Sequence, residues 1–313
     1  MESPAILLMG PTGAGKTDVA VDLVGDLPLE IVSVDSAMVY RGMDIGTAKP
    51  DAATRSRAPH HLVDVIDPAD AYSAGRFLDD ARAAMTDIRR RGRVPLLVGG
   101  TMLYFRALQS GLAAMPAADP GLRERIDARA EVEGWPALHA ELALLDPATA
   151  AGIKPRDRQR IQRALELIQL TGAALGERRR QDLRGGTRAG DLKIVLAPGD
   201  REARATRLEA RFRRMMELGF LDETRRLYAR GDLGPHLPSI RAVGYRQLWE
   251  HLAGRCRLEE AVERGIVATR QLARRQMTWL RAEPGAEWVE ALESGAIARI
   301  RAHVGRWLDL QHG

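Results

Sequence analysis

Residues 10–17 read GPTGAGKT and follow the short apolar run from Ala5 to Met9. The stretch fits the pattern G-x-x-x-x-G-K-[ST], a loop between a strand and a helix whose backbone N–H groups surround phosphate oxygens. The helix that follows directs the positive end of its dipole at the anion. The stretch therefore predicts a phosphate-binding loop, and the pattern alone favours a nucleoside triphosphate as the ligand.

The residues of this loop have different predicted roles. Its glycines allow the backbone to approach the anion closely, Lys16 neutralises phosphate charge, and the Thr17 hydroxyl is placed to reach Mg²⁺. The predicted phosphate-binding residues are Gly10, Pro11, Thr12, Gly13, Ala14, Gly15, Lys16 and Thr17.

Short apolar runs recur through the first hundred residues and predict buried strands. These runs cover residues 5–9, 30–35, 61–67 and 94–100. An amphipathic pattern over 74–91 predicts a helix between the last two of these strands. Buried strands joined by helices form a parallel sheet covered on both faces. Ligands bind beyond the carboxyl ends of such strands. Because Gly10, Asp35 and Thr101 each follow a strand, we expect these residues to meet in one crevice.

The pattern changes after residue 115. Helical periodicity runs from 120 to about 176, a β-rich run returns at 191–198, and the remainder reads as helical to the C-terminus. The predicted fold is α/β, with a P-loop NTPase-like parallel sheet core, an all-helical insertion domain and a helical C-terminal part. The predicted core covers 1–115 and 189–313, and the predicted insertion covers 116–188.

Composition excludes several classes of protein. The chain has 313 residues and one cysteine, Cys256, so it has no intramolecular disulfide and no cysteine-based zinc site. No apolar run reaches the roughly 18 residues of a membrane span, and the N-terminus does not resemble a secretory signal. We therefore expect a cytoplasmic protein without a membrane partner. A monomer is a separate expectation, since composition does not determine the oligomeric state.

Positive charge is concentrated in two segments. Residues 154–190 contain ten basic and four acidic side chains, and residues 241–281 contain nine basic and four acidic ones. Such clusters favour a phosphate-rich partner, although a run of charge also forms an ordinary solvated face. Arg270, Arg274 and Arg275 lie at helical spacing in the second segment and could grip a diphosphate or RNA phosphates.

Two residues at strand ends have both a functional and a structural interpretation. Asp35 could accept a proton or hold Mg²⁺, or it could cap a turn. Thr101 could donate to an oxyanion, or it could cap the helix that follows. The aromatic side chains of Tyr40, Tyr245 and Trp279 could stack on bases or belong to the core.

Six segments in this order resemble the tRNA dimethylallyltransferases, also called tRNA isopentenyltransferases. The segments are GPTGAGKT at 10–17, SVDSAMVYRGMDIGTAKP at 33–50, LLVGGTMLYFRAL at 96–108, RQRIQRALE at 158–166, PSIRAVGYRQLW at 238–249 and RGIVATRQLARRQMTWLR at 264–281. The resemblance implies transfer of a dimethylallyl group from dimethylallyl diphosphate to N6 of the adenosine 3′ of the anticodon. It implies tRNA substrates that read codons beginning with U, and Mg²⁺ as cofactor. The loop would then hold the diphosphate of the prenyl donor.

The resemblance also assigns roles to residues. It implies Asp35 as general base, Thr101 and Lys16 as further catalytic residues, and Thr17 as a Mg²⁺ ligand. It places the insertion on the tRNA anticodon stem-loop. The implied tRNA-contact residues are Asp35, Ser36, Ala37, Met38, Thr101, Arg123, Gln159, Arg160, Ile161, Gln162, Arg163, Arg241, Ala242, Val243, Gly244, Tyr245 and Arg246, with Arg270, Arg274 and Arg275 as further candidates.

Two alternatives remain open from the residues themselves. A small-molecule kinase with this loop would consume ATP and use Asp35 as acceptor base. An RNA-binding module without activity would bind tRNA and leave it unmodified.

Overall fold

The computed structural model describes residues 4–113, 115–175, 183–184 and 190–312. They divide into two compact units, Met1–Arg106 with Arg188–Gly313, and Ala107–Thr187. The predicted return to the core at 188/189 falls among residues outside the described ranges. Along the first part of the chain the elements are β1 (Ile6–Met9), α1 (Lys16–Asp26), β2 (Leu29–Val34), α2 (Ala52–Arg57), β3 (His60–His61), α3 (Ala74–Arg90), β4 (Val94–Gly99) and α4 (Met102–Ser110).

The larger unit contains a six-stranded parallel sheet. After the insertion the chain adds β7 (Leu192–Ala197), α9 (Arg201–Glu217), α10 (Phe220–Tyr228), α11 (Tyr245–Leu252), α12 (Leu258–Leu280), β8 (Glu287–Glu290) and α13 (Ala296–His312). The strand order is β3-β2-β4-β1-β7-β8, and every neighbouring pair is parallel. The predicted α/β class and parallel sheet are confirmed.

The sheet is buried on both faces, as its apolar strands require. Each residue of β1 and of β2 is buried, which is the pattern of strands covered by helices on either side. On one face Ile6, Ile31 and Leu96 pack with Val304 and Leu308 of α13. This apolar core fixes the sheet beneath the loops at its carboxyl ends.

Two strand predictions are wrong. Only His61 of the run 61–67 lies in a strand, the two-residue β3, since Leu62 and Asp64 have φ of 63° and 58° and cannot continue it. The Asp64 carboxylate instead accepts from Lys49, whose side chain is buried. The segment from 199 to the C-terminus is expected to be helical, but it contains the four-residue strand β8. The strand is not recognised from the sequence because its Trp288 is exposed and interrupts the apolar pattern.

The smaller unit is helical apart from one short ladder. Its elements are β5 (Leu112–Ala113), α5 (Pro120–Glu133), α6 (Trp135–Leu145), α7 (Pro147–Ala151), α8 (Arg158–Thr171) and β6 (Leu183–Arg184), with β5 and β6 paired antiparallel. Its own core includes Leu122, Ile126, Leu142 and Leu165. Asp119 and Asp157 cap α5 and α8 by accepting backbone N–H groups of Leu122 and Arg160.

A buried carboxylate holds the amino end of the sheet. Glu30 in β2 accepts from Arg91 Nε at 2.9 Å, from Arg91 Nη2 at 2.6 Å and from His61 Nε2 at 2.8 Å. The hydrogen bonds from Arg91 lower the pKa of Glu30 to about 2 and outweigh its burial, which acts in the opposite direction. His61 contributes in the same direction as Arg91.

We expect Glu30→Gln to lower the free energy of unfolding at pH 7 by about 2 to 3 kcal/mol, because Arg91 and His61 lose a buried anionic partner. The folded pKa of about 2 lies below the ordinary value of 4.5. The stabilisation is therefore complete above about pH 4.5 and is lost as the pH falls toward 2. Urea unfolding should show the two proteins converging as the pH is lowered below 4.5.

The control is Glu202→Gln, an exposed carboxylate in the first turn of α9. It should change stability by no more than about 0.5 kcal/mol at each pH. A difference between wild type and Glu30→Gln that stayed constant with pH would show that the Glu30 charge does not stabilise the fold.

Candidate active site

Three strand ends meet at one cavity of about 510 Å³ in the larger unit. Thr12 reaches it from the loop after β1, Asp35 from the end of β2, and Gly100 and Thr101 from the end of β4. The expected crevice is therefore present at the carboxyl ends of adjacent parallel strands. Further walls come from α9 and α12 and from residues 241–245.

Glycines make this convergence sterically possible. A Cβ added to Gly99 would lie 2.0 Å from the Val34 carbonyl oxygen, and one added to Gly10 would lie 2.2 Å from the Leu196 carbonyl oxygen. Neither neighbour is a flexible side chain that could move aside. Any other residue at these positions would push adjacent strands apart, so the glycines permit the close backbone approach that the cavity needs.

The phosphate loop has an open row of backbone donors. Gly13 and Gly15 have φ of 78° and 84°, the left-handed conformation that glycine adopts without strain. Among the described residues no group accepts from the N–H of Gly13, Gly15, Lys16 or Thr17. These donors stand at the start of α1, where the helix dipole adds positive potential. The arrangement is that of an anion site.

Two half-buried cations, Lys16 and Arg211 of α9, face this loop. Burial first, and the positive charge of Arg211 next, lower the pKa of Lys16 to about 8, and Asp35 acts in the opposite direction. Burial likewise lowers the pKa of Arg211, against the influence of Asp35 and Asp18. Within the described residues the Arg211 guanidinium makes no hydrogen bond or ion pair, and Asp35 and Asp18 act on it only through their charge. Two partly desolvated cations without a paired carboxylate are unfavourable until an anion binds beside them.

Asp35 is held by its own turn, and Thr101 is held by Ser36 in that turn. One carboxylate oxygen of Asp35 accepts from the N–H groups of Ala37 and Met38, at 2.8 and 3.2 Å, which is the turn-capping alternative. Its second oxygen has no partner among the described residues, so the residue also keeps an open acceptor. The Thr101 hydroxyl oxygen accepts from the Ser36 N–H at 3.1 Å, so the predicted cap of the next helix is not formed by this side chain.

One face of α9 lines the cavity. Leu208, Arg211, Phe212 and Met215 follow the spacing i, i+3, i+4, i+7 of a single helix face. Three of these side chains are apolar, and Leu208 packs so closely on the loop that a Cβ at Gly13 would lie 2.8 Å from it. Sequence reasoning did not select Arg211. The available signal was a charged residue placed within an otherwise apolar helix face.

The three arginines proposed from α12 have different surroundings in the structure. Arg275 lines the cavity, whereas Arg270 is exposed and forms an ion pair with Glu209 at 2.6 Å. Arg274 is exposed and lies outside the cavity lining. The cavity residue from α12 that sequence reasoning overlooked is Gln276, whose amide contacts Thr12 and Gly100.

A buried carboxylate orders the segment after Asp35. Glu223 of α10 is 2 % exposed and accepts from the backbone N–H groups of Asp44, Ile45 and Gly46. It also accepts from the Tyr245 hydroxyl at 2.5 Å. Burial first, and the Glu223 carboxylate next, raise the pKa of Tyr245 well above its ordinary value.

This arrangement bears on the predicted tRNA contacts at 241–246. Tyr245 is fully buried and packs edge-on against Phe220, so its ring offers no free face for a base, and stacking by Tyr245 is not supported. Arg241, Ala242 and Val243 line the cavity. Gly244 has a φ of 92° and precedes α11, and Arg246 is exposed on that helix.

In the smaller unit Glu166 organises two of the proposed tRNA-contact arginines. It is fully buried and accepts two hydrogen bonds from Arg123, at 2.9 and 3.0 Å, and one from Arg163 at 2.6 Å. Burial raises the pKa of Glu166, but these arginines and the Asp119 N–H outweigh it and lower the pKa overall. Both arginine side chains stay about one-third exposed. They are therefore oriented yet accessible.

The remaining candidates on α8 differ in exposure. Gln159 and Arg160 are exposed, and Gln162 donates to Asp127 at 2.7 Å. Ile161 is fully buried in the core of the smaller unit. Its proposed contact with tRNA is not supported, since its side chain does not reach the surface.

The fold and site define a P-loop α/β protein whose loop faces half-buried cations and a strand-end carboxylate. A family model described as IPP transferase matches residues 38–283. The chain is 54% identical over 312 residues to the tRNA dimethylallyltransferase of Thioalkalivibrio sulfidiphilus, covering 97% of this chain and 96% of that one. It is 54% identical over 310 residues to the tRNA dimethylallyltransferase of Methylococcus capsulatus, covering 96% and 98%. The chain belongs to the IPP transferase family.

Solved structures agree with this assignment. The full-length tRNA isopentenylpyrophosphate transferase of Bacillus halodurans is 35% identical and covers 99% of this chain and 98% of its own, with a TM-score of 0.73. A eukaryotic dimethylallyltransferase acting on tRNA is 25% identical and covers 98% of this chain and 80% of its own, with a TM-score of 0.82. In the part of this chain that the structure describes, no helix is long and apolar enough to cross a bilayer.

We expect binding of inorganic diphosphate to weaken above about pH 8. Lys16 has a pKa of about 8 in the free protein, so above that pH its side chain is a neutral amine that must take up a proton to serve as a cation. The association constant should be steady below pH 8 and fall by up to about tenfold per pH unit above it. Isothermal titration calorimetry with Mg²⁺ between about pH 6.5 and about pH 9.5 measures the profile.

Lys16→Arg is the matched variant, because a guanidinium stays charged over this range. Its affinity for diphosphate should show no inflection near pH 8, whatever its absolute value. The same decline in the variant would assign the titration to another group.

Proposed function

We propose that this chain transfers a dimethylallyl group from dimethylallyl diphosphate to N6 of adenosine 37, immediately 3′ of the anticodon. The substrates are tRNAs that read codons beginning with U, and the products are N6-(dimethylallyl)adenosine and diphosphate. One observation carries the proposal beyond family membership. The half-buried cations Lys16 and Arg211 flank the open donors of the loop, and Asp35, with one free carboxylate oxygen, lines the cavity at their side.

The diphosphate leaves as the bond between C1 of the donor and its oxygen breaks. The bonding electrons go to that oxygen, so negative charge grows on a diphosphate held by the loop. The free N–H groups of Gly13, Gly15, Lys16 and Thr17 supply donors for it, and the side chains of Lys16 and Arg211 supply positive charge. Because these groups are already oriented, they stabilise the developing charge without reorganisation.

N6 of adenine attacks C1, and it is a weak nucleophile because its lone pair is delocalised into the ring. The nitrogen must lose a proton, because the new bond to C1 would otherwise leave it positively charged. The unpartnered oxygen of Asp35 is the acceptor, while the turn that binds its other oxygen fixes its direction. General-base assistance of this kind contributes roughly 10² to 10⁴ in rate. Thr101, held against Ser36, is placed to bind the oxygen of the breaking bond.

The side chains around the loop supply only part of the ligands that a divalent cation needs. Among the described residues no cluster of three or more histidine, cysteine, aspartate or glutamate side chains could hold a metal ion. The Thr17 hydroxyl, at the start of α1, lacks a hydrogen-bond partner in the described chain. Mg²⁺ binds through few protein ligands together with substrate phosphates. We therefore assign Thr17 as its protein ligand, and the ion supplies charge neutralisation at the diphosphate.

The tRNA is held by exposed cations. N6 lies inside a stacked anticodon loop, and taking a base out of a stack costs a few kcal/mol. Phosphate contacts offset this cost. We assign such contacts to Arg123 and Arg163, whose guanidinium groups Glu166 orients, and to the exposed Arg160 and Arg241. The helical insertion is thus proposed as the domain that binds the anticodon stem-loop.

The direct test combines purified protein with dimethylallyl diphosphate, Mg²⁺ and an unmodified tRNA carrying adenosine at position 37. Digestion and mass spectrometry should show a five-carbon gain on that adenosine, and a matched tRNA with guanosine there should show none. Consumption of ATP with no prenyl transfer would overturn the proposal in favour of a kinase. Tight tRNA binding without modification would favour an RNA-binding module.

We expect Asp35→Asn to lower turnover by about 10² to 10⁴-fold while tRNA affinity changes by no more than about twofold. The asparagine oxygen can still accept from Ala37 and Met38, so the turn is preserved, but the amide cannot take the proton. Asp35→Ala should lose turnover as well and retain most tRNA affinity. Single-turnover kinetics and filter binding measure the two quantities, and equal losses in both would make Asp35 a binding residue.

We expect Arg163→Gln to weaken tRNA binding and to reduce the slope of log affinity against log salt by about one phosphate contact. Arg129→Gln is the control, since it removes the same charge from an arginine of α5 that pairs with Glu133 and Glu141. The salt slope of this control should equal that of wild type. An unchanged slope in Arg163→Gln would exclude Arg163 from phosphate contact.

A further inference from the structure

Gln276 of α12 joins the phosphate loop to the end of β4. Its side-chain oxygen accepts from the Thr12 N–H at 2.9 Å, and its side-chain nitrogen donates to the Gly100 carbonyl oxygen at 2.9 Å. The residue is half-buried and lines the cavity together with both partners. Thr12 and Gln276 are 264 positions apart in the chain, so this contact exists only in the folded protein.

The position of this amide is tightly constrained. A Cβ added to Gly100 would lie 2.4 Å from the Gln276 side-chain nitrogen, so the absence of a side chain at Gly100 makes room for it. Turning the amide over would set its N–H₂ group against the Thr12 N–H and its oxygen against the Gly100 carbonyl. The two hydrogen bonds therefore fix one orientation, with the carbonyl directed at the loop.

This contact removes one donor from the loop. Pro11 has no N–H, the Thr12 N–H is bound to Gln276, and the Ala14 N–H donates to the Pro11 carbonyl oxygen at 3.3 Å. The open donors begin at Gly13 and continue into α1. At the Thr12 end an incoming phosphate would meet the Gln276 amide, the Gly100 carbonyl and the Asp35 carboxylate, of which the last two repel an anion.

We propose that Gln276 limits the loop to two phosphate groups and so selects a diphosphate over a triphosphate. The inference deepens the proposed function, on which it rests, by naming the residue that excludes nucleoside triphosphates from a loop of the type that commonly binds them. A third phosphate would lie at the Thr12 end of the loop and would bring further negative charge there. The N–H of Thr12, which could otherwise bind it, already donates to Gln276. The neutral amide blocks this end without adding a charge that would repel the diphosphate.

The test compares inorganic diphosphate with inorganic triphosphate as probes, by calorimetry with Mg²⁺ near pH 7.5. Wild type should bind diphosphate at least about tenfold more tightly than triphosphate. Gln276→Ala frees the Thr12 N–H and opens the end of the loop, and should bring the two dissociation constants within about threefold. The change should come mainly from tighter binding of triphosphate.

Gln276→Glu separates this role from a merely structural one. The carboxylate still accepts from Thr12 and still blocks the end of the loop, but it cannot donate to Gly100 and it repels both anions. Both affinities should therefore fall while the preference for diphosphate is retained. If Gln276 only joined the two segments, both variants would alter the preference alike.

Gln271→Ala is the matched control, because Gln271 is an exposed glutamine on the same helix and lies outside the cavity lining. It should reproduce the wild-type ratio, and thermal melting should show that each variant is folded. A wild-type protein without preference, or an unchanged ratio in Gln276→Ala, would overturn the inference. The binding ratio is measured without tRNA, so failure of prenyl transfer is detected separately by the mass-spectrometric assay.

Discussion

The close approach of backbones at the carboxyl ends of β1, β2 and β4 is the constraint on which the site depends. Gly10 and Gly99 stand where a Cβ would lie 2.2 Å and 2.0 Å from the carbonyl oxygens of neighbouring strands. Because these positions carry no side chain, the loop after β1 and the residues after β2 and β4 come within hydrogen-bonding distance. The hydrogen bond from Ser36 to Thr101 and the bridge made by Gln276 both follow from that proximity.

The positive charges beside the loop favour the binding of an anion, and they destabilise the protein when no anion is bound. Lys16 and Arg211 are half-buried close to one another, and each has a pKa lowered by partial loss of solvent. Neither has a carboxylate within ion-pair distance among the described residues, and Asp35 compensates them only at longer range. An anion between them relieves an unfavourable burial of charge. A diphosphate leaving group, whose charge increases during reaction, gains more from these cations than a neutral ligand would.

Two buried glutamates show different uses of the same chemical group. Glu223 binds three successive backbone N–H groups and the Tyr245 hydroxyl, so it fixes the path of the chain after Asp35. Glu166 binds the guanidinium groups of Arg123 and Arg163 and leaves part of each exposed, so it directs cations outward. In both cases the carboxylate is satisfied by several donors, which is what makes its burial tolerable.

The sequence by itself determined the phosphate loop, the parallel sheet, the helical insertion and the family, since strand, loop and helix signals act between residues close in the chain. It assigned Asp35 and Thr101 to strand ends for the same reason. The strand predicted at 61–67 is wrong, because residues in the left-handed backbone conformation end β3, and β8 was not predicted. Arg211, Gln276 and Glu223 emerged only from the tertiary structure, as did the burial of Tyr245. Their roles depend on contacts between distant segments, which no local pattern records, and on exclusion from water, which only the packed chain creates.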